Sequence, residues 1–323
     1  MKTVETPPTT NQPEATKQSL FICSSANETI ERAILQPLPK PLFENLWYEN
    51  EVSCLFSDSN LGKSILAVQI AHTLSLYEKV MYFDFELSDK QFQLRYTSDN
   101  GVDVHKFSDN LIRCTIDPFA ITDENFEEAV LSGIKSEVEN RGVKVIIIDN
   151  LTYLCIAAEK GDIAGRLMMS LIQMKRLYNL SILVLAHTPK RPLTNPITQN
   201  DLAGSKKLVN FFDSVFAIGQ SNKDSSLRYI KQIKCRNGSF TLDSENVAVY
   251  LIEKLDECFL SFREMGFSSE KEHLKDVTKK ESDELIAVVI EGIESGKSYQ
   301  QVADEQRISK SKVQRIMGKH NKG

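Results

Sequence analysis

The sequence predicts an α/β protein with a mostly parallel central sheet flanked by helices, plus a small all-helical domain at its C-terminus. Segments with strand character alternate with segments whose apolar residues recur at helical spacing. Two continuous apolar runs, residues 143–148 and 182–186, are typical of strands that are buried on both faces. Because such alternation produces right-handed crossovers, we expect parallel strands with ligands at their carboxyl ends.

Composition and charge indicate which classes of protein this chain can belong to. The chain has 323 residues, of which 41% are hydrophobic and 26% charged, and these shares are ordinary for a globular protein. Its formal net charge of −5 argues against a chain that is basic throughout but leaves local basic patches open. The six cysteines are scattered, without a pair at metal-ligand spacing, which predicts a protein of the reducing cytoplasm. The chain opens without a charged-then-apolar leader and contains no apolar run of membrane-spanning length, so we expect neither secretion nor membrane insertion.

The distribution of apolar residues divides the chain into four regions. Residues 1–20 lack apolar periodicity and are predicted to form a disordered tail. Residues 21–263 carry the alternating strands and helices and form the predicted α/β domain. Residues 264–284 are charged and poor in apolar residues, which is typical of a linker, and residues 285–323 are helical by pattern.

A phosphate-binding loop is predicted directly after the first apolar strand, residues 52–56. It comprises Ser57, Asp58, Ser59, Asn60, Leu61, Gly62, Lys63 and Ser64. A strand, a loop and then Gly-Lys-Ser opening a helix form the context of a P-loop, whose backbone N–H groups cradle phosphate oxygens. We expect Lys63 to reach the terminal phosphates of ATP and the Ser64 hydroxyl to ligate Mg²⁺. The alternative is a polar turn without a ligand, and Ser57 departs from the glycine that opens the pattern.

Asp149 ends the apolar strand of residues 145–148. This is the pattern called Walker B, in which strand geometry brings a carboxylate to the P-loop, where it holds Mg²⁺ through water. An aspartate after an apolar run is by itself usually just a strand end. The Walker B interpretation of Asp149 is favoured here because a P-loop precedes it in the sequence.

Glu86 follows the strand of residues 80–85 and is the candidate catalytic carboxylate. Hydrolysis of ATP needs a carboxylate that orients or deprotonates the water attacking the terminal phosphate. Asp84 is the second choice for this role. The alternative for Glu86 is a surface carboxylate that caps the next helix near Ser88.

His187 ends the strand of residues 182–186 and is followed by a long loop, residues 188–201. A polar residue at this position could sense the terminal phosphate and pass the information to the loop, and the alternative is a hydrogen-bonded histidine without such a role. Four cations give the region a basic character suited to a DNA backbone, although a solvated basic loop would look the same. They are Lys190, Arg191, Lys206 and Lys207.

Over residues 46–262 this order of motifs resembles RecA-like P-loop ATPases, specifically the RepA/DnaB-type replicative helicases. The Gly-Lys-Ser of the loop is similar to their Walker A motif, and Asp149 to their Walker B aspartate. Glu86 stands where the family has its catalytic base, and His187 where it has a phosphate-sensing polar residue. The resemblance implies a RecA-like ATPase fold for residues 21–263, with ATP and Mg²⁺ as cofactors.

The most specific part of the resemblance is Lys-Cys-Arg-Asn-Gly at residues 234–238. It is similar to the Lys-x-Arg-Asn-Gly with which DnaB-type subunits reach the ATP of a neighbour. The resemblance implies that Lys234 and Arg236 act catalytically in trans within a homo-oligomeric ring, commonly a hexamer. An arginine finger supplied by a neighbour would make hydrolysis depend on assembly. The alternative is a plain tight turn at Asn237 and Gly238.

Residues 297–316 resemble a helix-turn-helix. The second helix of the motif is expected to expose side chains that contact phosphates and base edges. These side chains are Lys310, Lys312, Gln314 and Arg315. Arg307 and Gln306 depart from the glycine and the apolar residue of the usual motif, and the alternative is a small helical bundle for protein contacts.

Together these patterns favour an ATP-hydrolysing, oligomeric DNA-associated motor, such as a helicase or a replication or mobilisation ATPase of a plasmid or transposon. The predicted partner is single-stranded DNA in a ring channel, duplex DNA at the helix-turn-helix, or both. The alternative is an ATP-switched DNA-binding regulator without unwinding activity. A third reading, a nucleotide-binding scaffold, requires Glu86 or the finger to have another role.

Overall fold

A computed structural model describes residues 20–117, 119, 126–151, 161–188, 191–202, 208–275, 279–306 and 310–320. The chain divides into two compact units, residues 1–39 and 40–323. Of the tail predicted for residues 1–20, all but the last residue lies outside the described part. The first unit contains helix α1, Ala26–Ile34, which begins at a capping box formed by Ser25 and Glu28.

Nine strands of the described second unit form one sheet, beside a two-stranded ribbon of β1 and β2. The strands are β1 Pro41–Phe43, β2 Trp47–Tyr48, β3 Val52–Ser57, β4 Val80–Asp84, β5 Leu111–Cys114, β6 Val145–Asp149, β7 Ser181–His187, β8 Ser214–Gln220, β9 Leu227–Lys234, β10 Val247–Leu255 and β11 Phe259–Ser268. Their order is β11-β10-β9-β8-β3-β7-β6-β4-β5. The six strands from β8 to β5 are parallel, which confirms the mostly parallel sheet, and β9 to β11 add an antiparallel extension.

The helices of the α/β region are α2 Lys63–Ser75, α3 Asp89–Arg95, α4 Phe126–Arg141 and α5 Gly161–Tyr178. Both faces of the sheet are covered. Ile146 and Ile148 of β6 pack in the core that contains α4 and α5, whereas Val145 and Ile147 pack in the core that contains α2. Side chains alternate along a strand, so burial of both faces explains why β6 is apolar at successive positions. Trp47 is fully buried in the second core and acts as a packing anchor.

The charged segment 264–284 differs from the predicted linker. Strand β11 continues to Ser268, and a 3₁₀ turn, Glu270–His273, follows it. Glu270 and His273 are buried despite their polarity. Lys231 Nζ lies 2.6 Å from Glu270 Oε2, and this ion pair provides the compensation that a buried carboxylate requires. The low apolar content therefore reflects a paired polar core and an exposed sheet edge.

Three helices close the described chain: α6 Lys279–Glu294, α7 Tyr299–Glu305 and α8 Lys310–His320. They share a small apolar core of Val289, Val302, Ala303, Val313 and Met317. Ser298 begins α7 with a capping box to Gln301. The helical C-terminus is confirmed, whereas Arg307 lies outside the described residues.

Candidate nucleotide site

The backbone of the predicted P-loop lies between β3 and α2, at the carboxyl edge of the parallel strands. Positive φ angles fall on Asn60 (64°) and Gly62 (95°), and both residue types tolerate this region. Ser57 is the last residue of β3 and is buried, and its φ is not positive. The absent first glycine is therefore not required by the backbone of this loop.

The antiparallel extension packs directly against the P-loop. A Cβ atom at Gly62 would come within 2.9 Å of Ile252 Cδ1 and 3.0 Å of the Phe262 ring. Arg228, at the start of β9, donates from Nε to Leu61 O over 3.3 Å. Gly62 is thus constrained by its φ and by a close contact. The sequence around Arg228, Ile252 and Phe262 contains no pattern that predicts their contact with the P-loop.

Lys63 reaches over the loop towards the next strand. Its Nζ lies 3.1 Å from Ser57 O and 3.1 Å from His187 Nδ1. Burial lowers the pKa of Lys63, and the nearby carboxylates of Asp149 and Glu86 oppose this shift. Since β7 pairs with β3 in the register Ser57↔His187, the sheet itself holds the two side chains together.

Asp149 is a buried carboxylate at the end of β6. Its Oδ2 accepts a hydrogen bond of 2.5 Å from the Tyr82 hydroxyl, and Ser64 also bonds to its side chain. Its Oδ1 is buried and has no hydrogen-bond partner in the described chain. Burial raises the pKa of Asp149 to about 6, mainly by desolvation. An unsatisfied carboxylate oxygen beside a hydroxyl is a donor set that fits Mg²⁺, which prefers oxygen ligands.

Glu86 lies at the centre of a polar cluster with His187 and Asn150. Its Oε1 accepts a short hydrogen bond from Asn150 Nδ2 and lies 3.3 Å from His187 Nε2. His187 Nδ1 accepts from the Lys63 ammonium group, which can only donate, and His187 Nε2 lies 3.3 Å from Glu86 Oε1 and 3.0 Å from Asn150 Nδ2. The hydrogen bond from His187 lowers the pKa of Glu86, which is therefore an ionised carboxylate at neutral pH.

Lys63, Ser64, Glu86 and His187 line one cavity of about 510 Å³, a size that suits a small-molecule ligand. Other P-loop residues and Arg95 of α3 complete its lining. The cavity thus brings together four of the predicted site residues, Lys63, Ser64, Glu86 and His187, at the carboxyl edge of the sheet.

Asp84, the second choice for the catalytic carboxylate, has a different environment. It is buried, and its Oδ1 accepts from the backbone N–H groups of Glu86 (3.1 Å) and Leu87 (2.9 Å). Its Oδ2 pairs with Arg113 Nε at 2.9 Å. Asp84 therefore shapes the turn that presents Glu86 and does not line the cavity.

The loop after β7 is tied to the P-loop through Asp58. Thr188 donates a short hydrogen bond to Asp58 Oδ1, and Arg191 Nε lies 3.6 Å from Asp58 Oδ2. The Arg191 side chain is only 4% exposed, and it also donates to Asn195 O over 2.8 Å. This corrects the expectation that Arg191 faces DNA, because its guanidinium is directed towards the P-loop. Of the other predicted DNA-binding cations of this region, Lys190, Lys206 and Lys207 lie outside the described residues.

Lys234 and Arg236 lie at the opposite edge of the sheet. Lys234 pairs in register with Val215, near the amino end of β8, and donates to Phe212 O over 2.7 Å. The strand rise of about 3.3 Å per residue puts Arg236 on the order of 15 Å from the P-loop of its own chain. The Arg236 side chain is 56% exposed, and its Nη1 pairs with Asp213 Oδ1 at 2.6 Å. Neither cation lines the phosphate cavity.

The predicted DNA-contacting residues of the C-terminal region lie on α8. Lys310, Gln314 and Arg315 are exposed, and Lys312 is half-buried. Val313 and Met317 point from the same helix into the small core. The exposed side of α8 is therefore polar and basic, as the sequence pattern indicated.

Several residues of the site were missed from the sequence. Asn150 could have been found, since it directly follows the Walker B aspartate. Tyr82, Thr188, Arg228 and Arg95 carry no local signal, because strand pairing or packing brings Arg95 to the cavity and the other three to residues beside it.

A parallel sheet with a P-loop, a Walker B aspartate and a strand-end glutamate defines a RecA-like P-loop ATPase domain. The chain belongs to the family described as AAA domain, whose model matches residues 26–192. It is also similar to the DNA repair protein RadA of Streptococcus pneumoniae (strain ATCC BAA-255 / R6), with 22% identity over 187 residues. The match covers 56% of this chain and 38% of that relative. Membership of the family implies the use of ATP and Mg²⁺.

No helix in the described part of the chain is long and apolar enough to cross a membrane.

Asp149→Asn is expected to stabilise the protein in EDTA at pH 8. The folded pKa of about 6 lies above the usual aspartate value of roughly 3.9. The free energy of unfolding therefore falls as pH rises from about 4 to about 6. Above that range the whole loss of stability due to the buried charge is present. Removal of the buried charge should raise the free energy of unfolding by about 3 kcal/mol at pH 8 and by less at pH 5. Urea unfolding of both proteins at pH 8 and pH 5 measures these free energies. If the stability difference between Asp149→Asn and the unaltered protein were the same at both pH values, the prediction would be contradicted.

Proposed function

We propose that this protein is an ATP-hydrolysing, oligomeric DNA-associated motor that resembles RepA-type helicases, in replication or mobilisation of a plasmid or transposon. The observation that carries the proposal is the division of the catalytic groups between two edges of one sheet. Glu86, His187 and Lys63 lie at the carboxyl edge, whereas Lys234 and Arg236 lie at the amino edge. Such a division suits subunits that complete each other's sites in a ring.

In this proposal Glu86 orients the attacking water and accepts its proton. Its lowered pKa keeps it ionised, and its exposed position in the cavity leaves a second oxygen for water. Lys63 neutralises charge on the terminal phosphates, and Ser64 and Asp149 hold Mg²⁺. Mg²⁺, when bound, neutralises phosphate charge and orients the phosphate oxygens.

His187 connects the group that binds phosphate to the group that handles water. It accepts from Lys63 and donates to Glu86, so displacement of Lys63 towards a terminal phosphate alters the partner of His187. The next residue, Thr188, contacts Asp58, and the nucleotide state can thereby reach the loop after β7. This supports a sensing role for His187.

The surroundings of Arg236 support its proposed action on a neighbouring subunit, because breaking its ion pair with Asp213 leaves that carboxylate with other partners. Asp213 also accepts from Lys175 Nζ at 2.8 Å and from Val52 N at 3.0 Å. The carboxylate therefore stays paired when Arg236 turns to a phosphate of the neighbouring subunit. A buried charge left without a partner would have opposed that movement.

An ATP-switched DNA-binding regulator is the second candidate. The three-helix C-terminus favours it, because α7 and α8 place the exposed Lys310, Gln314 and Arg315 on one helix that could enter a major groove. The name of the similar RadA, a DNA repair protein, supports association with DNA for either candidate. The two candidates differ in whether hydrolysis drives strand separation.

Glu86→Gln is expected to lower the ATPase rate by roughly 100-fold or more while ATP still binds, since general-base catalysis contributes 10²–10⁴-fold. Steady-state hydrolysis and equilibrium binding of ATP with Mg²⁺ measure the two effects. Asp84→Asn is the comparison variant: it should lower thermal stability, because it removes the charge that pairs with Arg113 Nε. Full activity of Glu86→Gln would contradict the assignment.

Arg236→Ala alone is expected to be inactive, but mixing it with Glu86→Gln should restore part of the activity. A mixed interface then combines an intact Glu86 with an intact Arg236 from the neighbour. ATPase rate against the mixing ratio measures the recovery. Arg263→Ala, which removes another exposed, ion-paired arginine, is the control and should retain activity without mixing. Absence of recovery would argue against a finger in trans.

DNA dependence separates the two candidates. For a motor, single-stranded DNA should stimulate hydrolysis and a forked duplex should be unwound. For a regulator, one duplex sequence should stimulate hydrolysis without strand displacement. Lys310→Ala with Arg315→Ala should weaken duplex binding at low salt and lessen its salt dependence. Lys297→Ala, which removes a cation paired with Glu305, is the control.

A further inference from the structure

Arg113 is a half-buried arginine of β5 that contacts the connection between β4 and α3, residues 85–88. Strand β5 lies at the edge of the sheet beside β4, and Arg113 pairs in register with Tyr82. Because β4 ends at Asp84 and α3 begins at Asp89, the Arg113 side chain reaches the connection from the next strand. Glu86 lies in this connection and lines the phosphate cavity, whereas Arg113 lies outside that lining.

Each guanidinium nitrogen of Arg113 binds a different point in or beside the connection. Nε lies 2.9 Å from Asp84 Oδ2, Nη1 lies 2.6 Å from Asp89 Oδ1, and Nη2 lies 2.5 Å from Leu87 O. The guanidinium also lies over the Phe92 ring of α3, with Cζ 4.8 Å from the ring centroid. Because the donors of arginine form a rigid planar fork, these contacts fix the two ends of the connection relative to each other.

The backbone of Glu86 is tied to one of the same carboxylates. Asp84 Oδ1 accepts from Glu86 N at 3.1 Å and from Leu87 N at 2.9 Å, while Arg113 binds Oδ2 of that carboxylate. The Asp84 side chain is fully buried, so its charge requires a partner. Arg113 therefore orients the carboxylate that receives two N–H groups of the connection, and it also binds the carbonyl of Leu87 directly.

The side chain of Glu86 is held separately, by residues of two other strands. Its Oε1 contacts Asn150, which follows β6, and His187, which ends β7. In the proposed function His187 changes its partner when Lys63 moves towards a phosphate. The contacts of Arg113 involve none of these groups. They can therefore hold the backbone of Glu86 in place while the surroundings of its carboxylate change.

We propose that Arg113 is a positioning residue for hydrolysis, which fixes the connection between β4 and α3 and thereby holds Glu86 where it activates the attacking water. The inference rests on the proposed ATP hydrolysis, and it adds a residue that does not touch the nucleotide. Catalysis depends steeply on position, and a displacement of about 1 Å can cost about 100-fold in rate.

A simpler role for Arg113 is to neutralise the buried charge of Asp84. That role predicts an effect on stability and full activity with any cation at this position. A direct electrostatic effect on Glu86 predicts a changed pH dependence, but the pKa of Glu86 is lowered chiefly by its hydrogen bond with His187. The positioning role alone predicts slower hydrolysis with unchanged ATP affinity and unchanged pH dependence.

The test is Arg113→Lys, which keeps a cation for Asp84 but loses the planar fork. We expect kcat for ATP hydrolysis to fall by roughly 10- to 100-fold, with no change in the dissociation constant for ATP with Mg²⁺ or in the acid midpoint of the pH–rate profile. Hydrogen exchange of the Glu86 and Leu87 amides should become roughly tenfold faster or more, because their shared acceptor is no longer fixed. Steady-state kinetics, equilibrium binding and exchange followed by mass spectrometry measure these effects.

Two further variants separate position from charge. Arg141→Lys, the matched control, makes the same replacement in an arginine of α4 that pairs with Glu137, and it should leave every measurement unchanged. Arg113→Met combined with Asp84→Asn removes both charges, so no carboxylate is left buried without a partner. The asparagine Oδ1 can still accept from the two N–H groups. This double variant should fold and show the same loss of kcat as Arg113→Lys.

Full kcat in Arg113→Lys would overturn the inference, and so would an equal loss of ATP affinity or a shifted pH–rate midpoint. If the unaltered protein hydrolyses no nucleotide, the proposed function fails. Faster exchange of residues 85–88 in Arg113→Lys, but not in Arg141→Lys, would then still support the effect of Arg113 on the position of Glu86, and unchanged exchange would refute it. If ATP is hydrolysed and Arg113→Lys is fully active, the proposed function stands and the positioning role fails.

Discussion

The hydrogen-bonded series Lys63–His187–Glu86 is the interaction on which the site depends. It joins three elements that are distant in sequence, and it exists because β7 lies between β3 and β6 in the sheet. In the proposed mechanism, this series makes the Glu86 carboxylate sensitive to the position of Lys63. The contacts themselves follow from the order of the strands.

The antiparallel extension has a direct role in the nucleotide site. Phe262 N donates to Gln69 Oε1 at 2.7 Å and Gln69 Nε2 donates to Phe262 O at 3.0 Å, so β11 is joined to α2, the helix that begins at the P-loop. Gly62 is in contact with Ile252 and Phe262, and Arg228 bonds to Leu61. The strands beyond β8 therefore support the P-loop from one side, while β9 carries Lys234 at the other edge of the sheet. The antiparallel extension therefore contacts the P-loop and also carries Lys234, one of the two residues proposed to act at the site of a neighbouring subunit.

Much of the fold and part of the site could be predicted from local sequence. The apolar runs of β6 and β7 are recognisable because burial on both faces removes polar residues from successive positions. Gly62, Lys63 and Ser64 are recognisable because a phosphate cradle requires these types at this spacing. The charge of the segment after residue 263 predicts a linker, because composition does not reveal that Glu270 is paired with Lys231. Arg191 was assigned to DNA for the same reason: charge is visible in a sequence, but its partner is not.

The sequence by itself determined the α/β class, the P-loop and the strand-end carboxylates, since each depends on neighbours within a few residues. The tertiary structure decided which of two carboxylates faces the cavity. Asp84 bonds to the backbone of the turn and to Arg113, and Glu86 is left to meet His187. It also directed Arg191 to Asp58 and Arg95 to the phosphate cavity. These outcomes depend on packing between distant segments, and no local pattern of residues encodes that packing.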